Sequence, residues 1–295
     1  MRTPILQVLC IAFVCAIGPF HSGPAEAGQC DSLTPFGTPV LEDTAGTDIV
    51  TICESKGRTS FFVVDYDRAE IAPQWVAYSL SHEQMLKVAS SSIDRDVDGI
   101  DFQAEDDIED AGFTSPIHDD YNGIGVRGFD RGHYLPAEAM SWSLDAFHST
   151  FNVANIALQA SSFNRGVWAK LEAQERGWAC DHGKIFAVTG VIFGGPNATF
   201  FKSSQHDLKI FVPTHFWKIV YTKENGGKAI GFIFKNSKRP GKLEDAIHSV
   251  REIENLAGID FMPDMEASEQ DEVEEEDPDL SFWKINYSSR FECGS

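Results

Sequence analysis

Residues 130–137 read Asp-Arg-Gly-His-Tyr-Leu-Pro-Ala. An acid, a base, a glycine and an imidazole stand in a row, in a chain of 295 residues whose formal net charge is −21. An isolated histidine is usually a satisfied surface or core residue, and His82, His148, His206, His215 and His248 are read that way. His133 differs in its neighbours. An imidazole that titrates near neutrality can deprotonate water, provided positive charge waits for the negative charge that develops. Arg131 and a metal ion are the candidates for that charge.

A hard cation such as Mg²⁺ wants oxygen donors and keeps several of its waters. About thirty residues on, the chain reads Phe151-Asn-Val-Ala-Asn-Ile-Ala-Leu-Gln-Ala-Ser-Ser-Phe-Asn-Arg-Gly-Val-Trp-Ala-Lys-Leu-Glu172. Asn164 and Glu172 both offer oxygens. Eight residues apart on a regular helix, they stand ~12 Å apart along the axis and about 80° apart around it. Both cannot easily enter one inner shell, although long side chains lean toward the helix N-terminus and bring Glu172 back. The expectation is Asn164 as direct ligand and Glu172 holding metal-bound water. Read alone, Asn164 is as well explained as a helix cap.

Outward from this stretch, runs rich in β-branched and aromatic residues predict strands at 61–66, 75–80, 184–193, 208–221 and 229–234. Several follow one another without a helix between them, which points to an antiparallel sheet. Leu243, Ile247, Val250 and Ile253 recur at helical spacing between Pro240-Gly241 and Gly258. A second helix is expected from about Asn164 through Arg176. The class is α+β, an antiparallel central sheet flanked by helices.

Asp130-Arg-Gly-His133, followed by Asn155, Gln159, Asn164, Trp168 and Glu172, resembles the DNA/RNA non-specific endonuclease family, the ββα-metal nucleases. The likeness extends to Trp75-Val-Ala-Tyr78, to residues 182–190 and 212–218, and to the helix before Gly258-Ile-Asp-Phe261, and so spans roughly residues 60–262. It implies a ββα-metal motif at the active site and a Mg²⁺-dependent endonuclease acting on DNA and/or RNA, with Mn²⁺ as a substitute. By the same resemblance His133 is the general base and Asn164 the direct ligand to one Mg²⁺, with Glu172 acting through water. Asn155 and Arg131 shape the site and contact phosphate, while Asp130 braces the loop. Two positions depart from the pattern: Leu158 stands where the family has proline, and the family's upstream arginine has only Arg95 as a nearby candidate, at an unusual spacing. The role of Arg95 is left open, as is homodimerisation.

Charge is unevenly placed. Residues 92–120 hold eleven acids against Arg95 alone, and residues 266–279 hold nine acids and no base. Residues 123–176 are neutral, which makes them the place for an anionic ligand. Asp94-Arg-Asp-Val-Asp-Gly-Ile-Asp-Phe-Gln-Ala-Glu105 matches the calcium-loop spacing of EF-hands, with Asp94, Asp96, Asp98 and Glu105 as side-chain ligands for Ca²⁺. Against that, Asp101 occupies the place where an apolar residue normally packs, and a solvated acidic loop explains the run as well. Residues 266–279 read as a solvated loop or disordered arm.

Residues 1–27 have the layout of a secretory signal: Arg2, an apolar run, then Ala25-Glu-Ala27. A single nuclease domain over 28–295, secreted or periplasmic and without a membrane anchor, is therefore expected. Removing that segment leaves Cys30, Cys53, Cys180 and Cys293, an even number that suits two disulfides in an oxidising compartment. Three pairings are open, and Cys30 with Cys53 and Cys180 with Cys293 is preferred. The competing reading is a non-catalytic nucleic-acid-binding or calcium-binding extracellular module. A serine hydrolase lacks its Gly-x-Ser-x-Gly elbow.

Overall fold

A computed structural model describes residues 29–42, 47–195, 198–286 and 293. The signal-like segment lies outside them. In chain order the described strands are β1 (Val40–Leu41), β2 (Ile49–Lys56), β3 (Thr59–Asp67), β4 (Ala72–Ser81), β5 (Phe129–His133), β6 (Ile156–Ala160), β7 (Lys184–Ile192), β8 (Phe200–Lys202), β9 (Lys209–Phe211), β10 (His215–Thr222), β11 (Lys228–Lys235), β12 (Ile247–His248) and β13 (Ile259–Asp260). Seven of them form one sheet in the order β12-β11-β10-β7-β4-β3-β2, with every neighbouring pair antiparallel.

Both faces of this sheet are covered, which is why its strands read as nearly continuous apolar runs. Alternate residues of a strand point to opposite faces. Phe216 and Val220 enter the core that contains Phe163, Trp168 and Trp178. Trp217, Ile219 and Tyr221 enter a second core with Trp75, Val250 and Ile253. The first core is roofed by the helix Ala169–Asp181, the second by the helix Val250–Ala257 and the N-terminal segment around Leu33. The expected antiparallel α+β class is what the chain forms. Both preferred disulfides, Cys30–Cys53 and Cys180–Cys293, are present.

Three expectations need correction. The run at 208–221 is two strands, β9 and β10, because Pro213 has no amide hydrogen for a ladder. The helix expected from Leu243 begins only at Val250. Ser249 caps it, accepting from Glu252 N while the Glu252 carboxylate accepts from Ser249 N, and residues 247–248 are spent on β12. The acidic stretch 266–279 is neither a loop nor a disordered arm: Ala267–Glu275 is a helix. Arg251 fixes it through Asp271 at 2.9 Å and Glu274 at 2.8 Å, and Val273 packs into the second core. Composition alone misses a helix that is held by one arginine and one apolar side chain.

Candidate active site

The site grows from the antiparallel pair β5–β6, in which Asp130 faces Gln159 and His133 faces Ile156. Gly132 is required there. A Cβ on it would lie 2.1 Å from Gln159 Oε1 and 2.4 Å from Gln159 Cγ, because the fully buried glutamine side chain crosses the strand at that point. The glycine of the opening stretch and the glutamine twenty-seven residues later are one packing unit. Asn155 secures the loop between the two strands. Its Oδ1 accepts from Leu135 N at 2.9 Å, and its Nδ2 donates to Leu135 O at 3.0 Å and Thr150 O at 3.1 Å. With the side chain fully buried and bonded to backbone, Asn155 shapes the site and does not reach a phosphate.

His133 ends β5. Its ring sits against Phe102 at 5.5 Å and Phe151 at 5.2 Å, and a hydrogen bond with the Thr150 backbone orients it. Nε2 is buried and has no partner. Burial first, then the positive charges of Arg95 and Arg131, push its pKa from 6.5 down to about 4. The imidazole is thus neutral at pH 7, the state a base needs.

Arg95 is the residue whose role the sequence leaves open, and the fold assigns it one. The stretch that matches a calcium loop forms instead a short helix, Arg95–Asp98. Asp94 caps it through Asp96 N and Val97 N, and Gly99 closes it at φ 67°. The guanidinium donates to Ile100 O at 3.1 Å and Asp101 Oδ1 at 3.1 Å, and lies over the rings of Phe102 and Phe151 that flank His133. The calcium reading is corrected: Asp94 is occupied as a cap and Asp96 and Asp98 are exposed. Glu105 turns into the protein, where it accepts from Asp107 N and Asn152 Nδ2. Among the described residues these four carboxylates do not gather into a group that could hold an ion.

Arg131 also lies over Phe102, 4.5 Å from its centroid, and its Nη1 is 2.9 Å from His118 Nδ1. A cavity of about 440 Å³ opens here, lined among others by Arg95, Phe102, Asp130, Arg131, Asn164 and Arg165. Asp130 collects donors from three residues. It accepts from Ser161 Oγ at 2.9 Å, Asn164 Nδ2 at 3.1 Å, and Arg165 Nε and Nη2 at 2.8 and 2.7 Å. Partial burial would raise its carboxyl, but these donors outweigh it and hold it below the usual range. The bond from Asn164 Nδ2 also fixes the amide, leaving Oδ1 as the oxygen available to the cavity.

The helix that carries Glu172 does not run straight on from Asn164. Asn164–Trp168 is a π-type turn, and Gly166 within it has non-helical dihedrals (φ −107°, ψ −107°), so a kink separates Asn164 from the helix Ala169–Asp181 that carries Glu172. Trp168 Nε1 donates to His133 O at 3.2 Å, tying this turn to β5. Glu172 does not line the cavity itself: it is half-buried, and burial raises its carboxyl to about 7, with Lys218 opposing and Glu175 adding.

Comparison with known proteins assigns the chain to a family. Residues 50–268 match the model of the DNA/RNA non-specific endonuclease family. The chain belongs to that family. It is 26% identical over 278 residues to "Endonuclease G, mitochondrial" of Bos taurus, covering 90% of this chain and 82% of the relative. To "Nuclease C1" of Cunninghamella echinulata var. echinulata it is 27% identical over 216 residues, covering 70% and 82%. A crystal structure of an EndoG/EndoGI complex superposes with a TM-score of 0.63 at 22% identity, over 83% of this chain and 96% of that one, a likeness of fold.

For a member of the endonuclease family, which is metal-dependent, the residues present fit a hard cation. Asn164 lines the polar cavity with its Nδ2 bonded to Asp130, and the unpartnered His133 Nε2 is buried close to the two arginines. Underneath lies a buried charged cluster. Lys218 Nζ reaches Glu175 Oε1 at 2.5 Å, Tyr78 OH at 2.8 Å and Tyr134 O at 3.4 Å, and Tyr78 OH also donates to Glu175. Lys218 is the one fully buried lysine among the described residues. Its place in a central strand among aromatic residues was visible in the sequence, but not its partner.

Proposed function

We propose that this endonuclease is an exported, Mg²⁺-dependent enzyme that hydrolyses phosphodiester bonds in DNA and/or RNA with little sequence preference. The observation that carries the reading is His133: a buried imidazole whose pKa is lowered by burial and two arginines, next to a cavity lined by those two arginines and by Asn164. His133 takes the proton of the attacking water. Arg95 and Arg131 hold the phosphate oxygens and receive the charge that develops on them. Asn164 would be the protein's direct ligand to a single Mg²⁺, and Glu172 would orient its waters. When bound, the cation supplies Lewis-acid help to the phosphate and to the departing 3′ oxygen. Contacts of this kind read backbone, not base edges, which fits low sequence preference.

Export to a secreted or periplasmic location is supported by the layout of residues 1–27 and by the two disulfides. The deciding experiment is plasmid digestion with and without Mg²⁺, with Mn²⁺ in parallel, comparing the protein with His133→Ala. Cleavage that needs the cation and falls at least ~100-fold in the variant is expected. Cleavage that survives chelation or the substitution would overturn the reading.

A further inference from the structure

The chain is strongly acidic, yet residues 235–242 read Lys-Asn-Ser-Lys-Arg-Pro-Gly-Lys, with four bases and no acid. Lys235, Lys238, Arg239 and Lys242 are all exposed. Other bases of the chain, such as Lys56, Lys202 and Arg251, face carboxylates. The segment is clipped to the catalytic hairpin by Asn236, whose Oδ1 accepts from Ala160 N at 2.7 Å and whose Nδ2 donates to Leu158 O at 2.9 Å and Pro213 O at 2.9 Å. Ala160 pairs with Phe129, and Ser161 N bonds to Gly128 O at 2.9 Å. Lys238 Cε comes within 3.9 Å of where a Cβ on Gly128 would stand, and the neighbouring Phe129, Asp130 and Arg131 line the cavity. Exposed Arg127 and Arg165 flank the same rim.

We propose that residues 235–242 form a track for the nucleic-acid backbone, carrying strand phosphates away from the scissile bond over Lys238, Arg239 and Lys242. This rests on the nuclease reading and extends it beyond the cut site. A chain of net charge −21 repels a polyanion at long range, so binding must come from a local concentration of positive charge. The floor of the cavity offers Arg95 and Arg131. The track adds bases that continue from its rim, before the acids Glu244 and Asp245 end the run.

The test compares the full chain with Lys238→Ala/Arg239→Ala/Lys242→Ala on two substrates, plasmid DNA and bis(4-nitrophenyl) phosphate, a diester too small to reach the loop. On the small diester kcat/KM should be unchanged. On plasmid KM should rise, and the slope of log(kcat/KM) against log[salt] should become shallower by up to about 2.7, at ~0.9 per phosphate contact. The charge-keeping variant Lys238→Arg/Arg239→Lys/Lys242→Arg should retain the original slope. Unchanged KM and slope on plasmid would overturn the proposal, as would equal loss on both substrates. If the triple variant does not fold, Lys238→Gln decides in its place, with a slope shallower by about 1. If the unmodified chain cuts neither substrate, the catalytic reading fails. The track is then judged by binding of a labelled oligonucleotide between about 50 and about 200 mM salt, with and without the substitutions. Binding to phosphatidylserine vesicles that depends on these bases, with oligonucleotide binding unmoved, would assign the loop to a membrane surface and overturn the proposal.

Discussion

Gly132→Ala tests whether the hairpin depends on the crossing of Gly132 by Gln159. The new Cβ would stand 2.1, 2.2 and 2.4 Å from Oε1, Cδ and Cγ of Gln159, so the whole outer side chain must move, not merely its tip. Gln159 is fully buried, so its side chain can shift only by displacing the core around it. Overpacking of this kind costs about 1–3 kcal/mol or more. A strand displacement of ~1 Å at the adjacent His133 and Arg131 would slow cleavage about 100-fold. Gln159→Ala removes the obstruction and two unsatisfied polar atoms, so its own cost should fall at the low end of large-to-small core substitutions. The double variant should therefore be more stable than Gly132→Ala alone, with a coupling of about 1–3 kcal/mol, and should recover part of the rate. Urea melts of the four chains and nicking of supercoiled plasmid measure both. Additivity within about 0.5 kcal/mol would refute the argument.

Two further outcomes follow from charges near the base. With the pKa of His133 lowered to about 4 from 6.5, the acid limb of kcat/KM should lie near pH 4 rather than near 6.5, and Arg95→Gln should move it upward; a limb at 6.5 in the unmodified enzyme would exclude the buried, arginine-flanked base. The sign for stability is the same: the folded-state value is depressed, so the contribution is fully present above pH 6.5 and is lost as pH falls through 4. It amounts to roughly 2–3 kcal/mol in melts across that window and should be absent in His133→Phe. Lys218→Met, which strands buried Glu175, should destabilise by about 3–5 kcal/mol, and Lys218→Met/Glu175→Leu should recover most of it; calorimetry showing less than about 1 kcal/mol for the single change would mean that the pair is not the buried unit described.

The sequence made the hairpin and its helix legible because their residues are constrained locally: glycine where a side chain crosses, an acid that collects donors, a histidine at a strand end. The paired strands of the main sheet were legible for a different reason, the concentration of β-branched and aromatic residues in strands buried on both faces. What escaped was set by partners distant in sequence or by backbone geometry. No propensity marks the kink at Gly166, which breaks the regular helix expected from Asn164 through Arg176. Asp94 to Glu105 has the spacing of a calcium loop, but Asn152 and the amide of Asp107 claim Glu105, and the carboxylate nearest the arginine, Asp101, orients it instead. The one base in that acidic run, Arg95, is the residue that lines the cavity, and its isolation was the available signal.

The two arginines also make the site incomplete without an anion. Burial and the nearby Arg95 both lower the pKa of Arg131, a sign that the pair is held together against its own repulsion. Asp101 offsets part of this from the edge, bonded to Arg95 and His118. A phosphate between the guanidiniums relieves the repulsion, and it removes much of the positive field that depresses His133. Phosphate binding should therefore raise the pKa of His133 above its value in the free enzyme. The same pH series, read as kcat instead of kcat/KM, carries this distinction: the limb for the bound enzyme lies above that for the free enzyme, because the arginines then face a phosphate instead of each other.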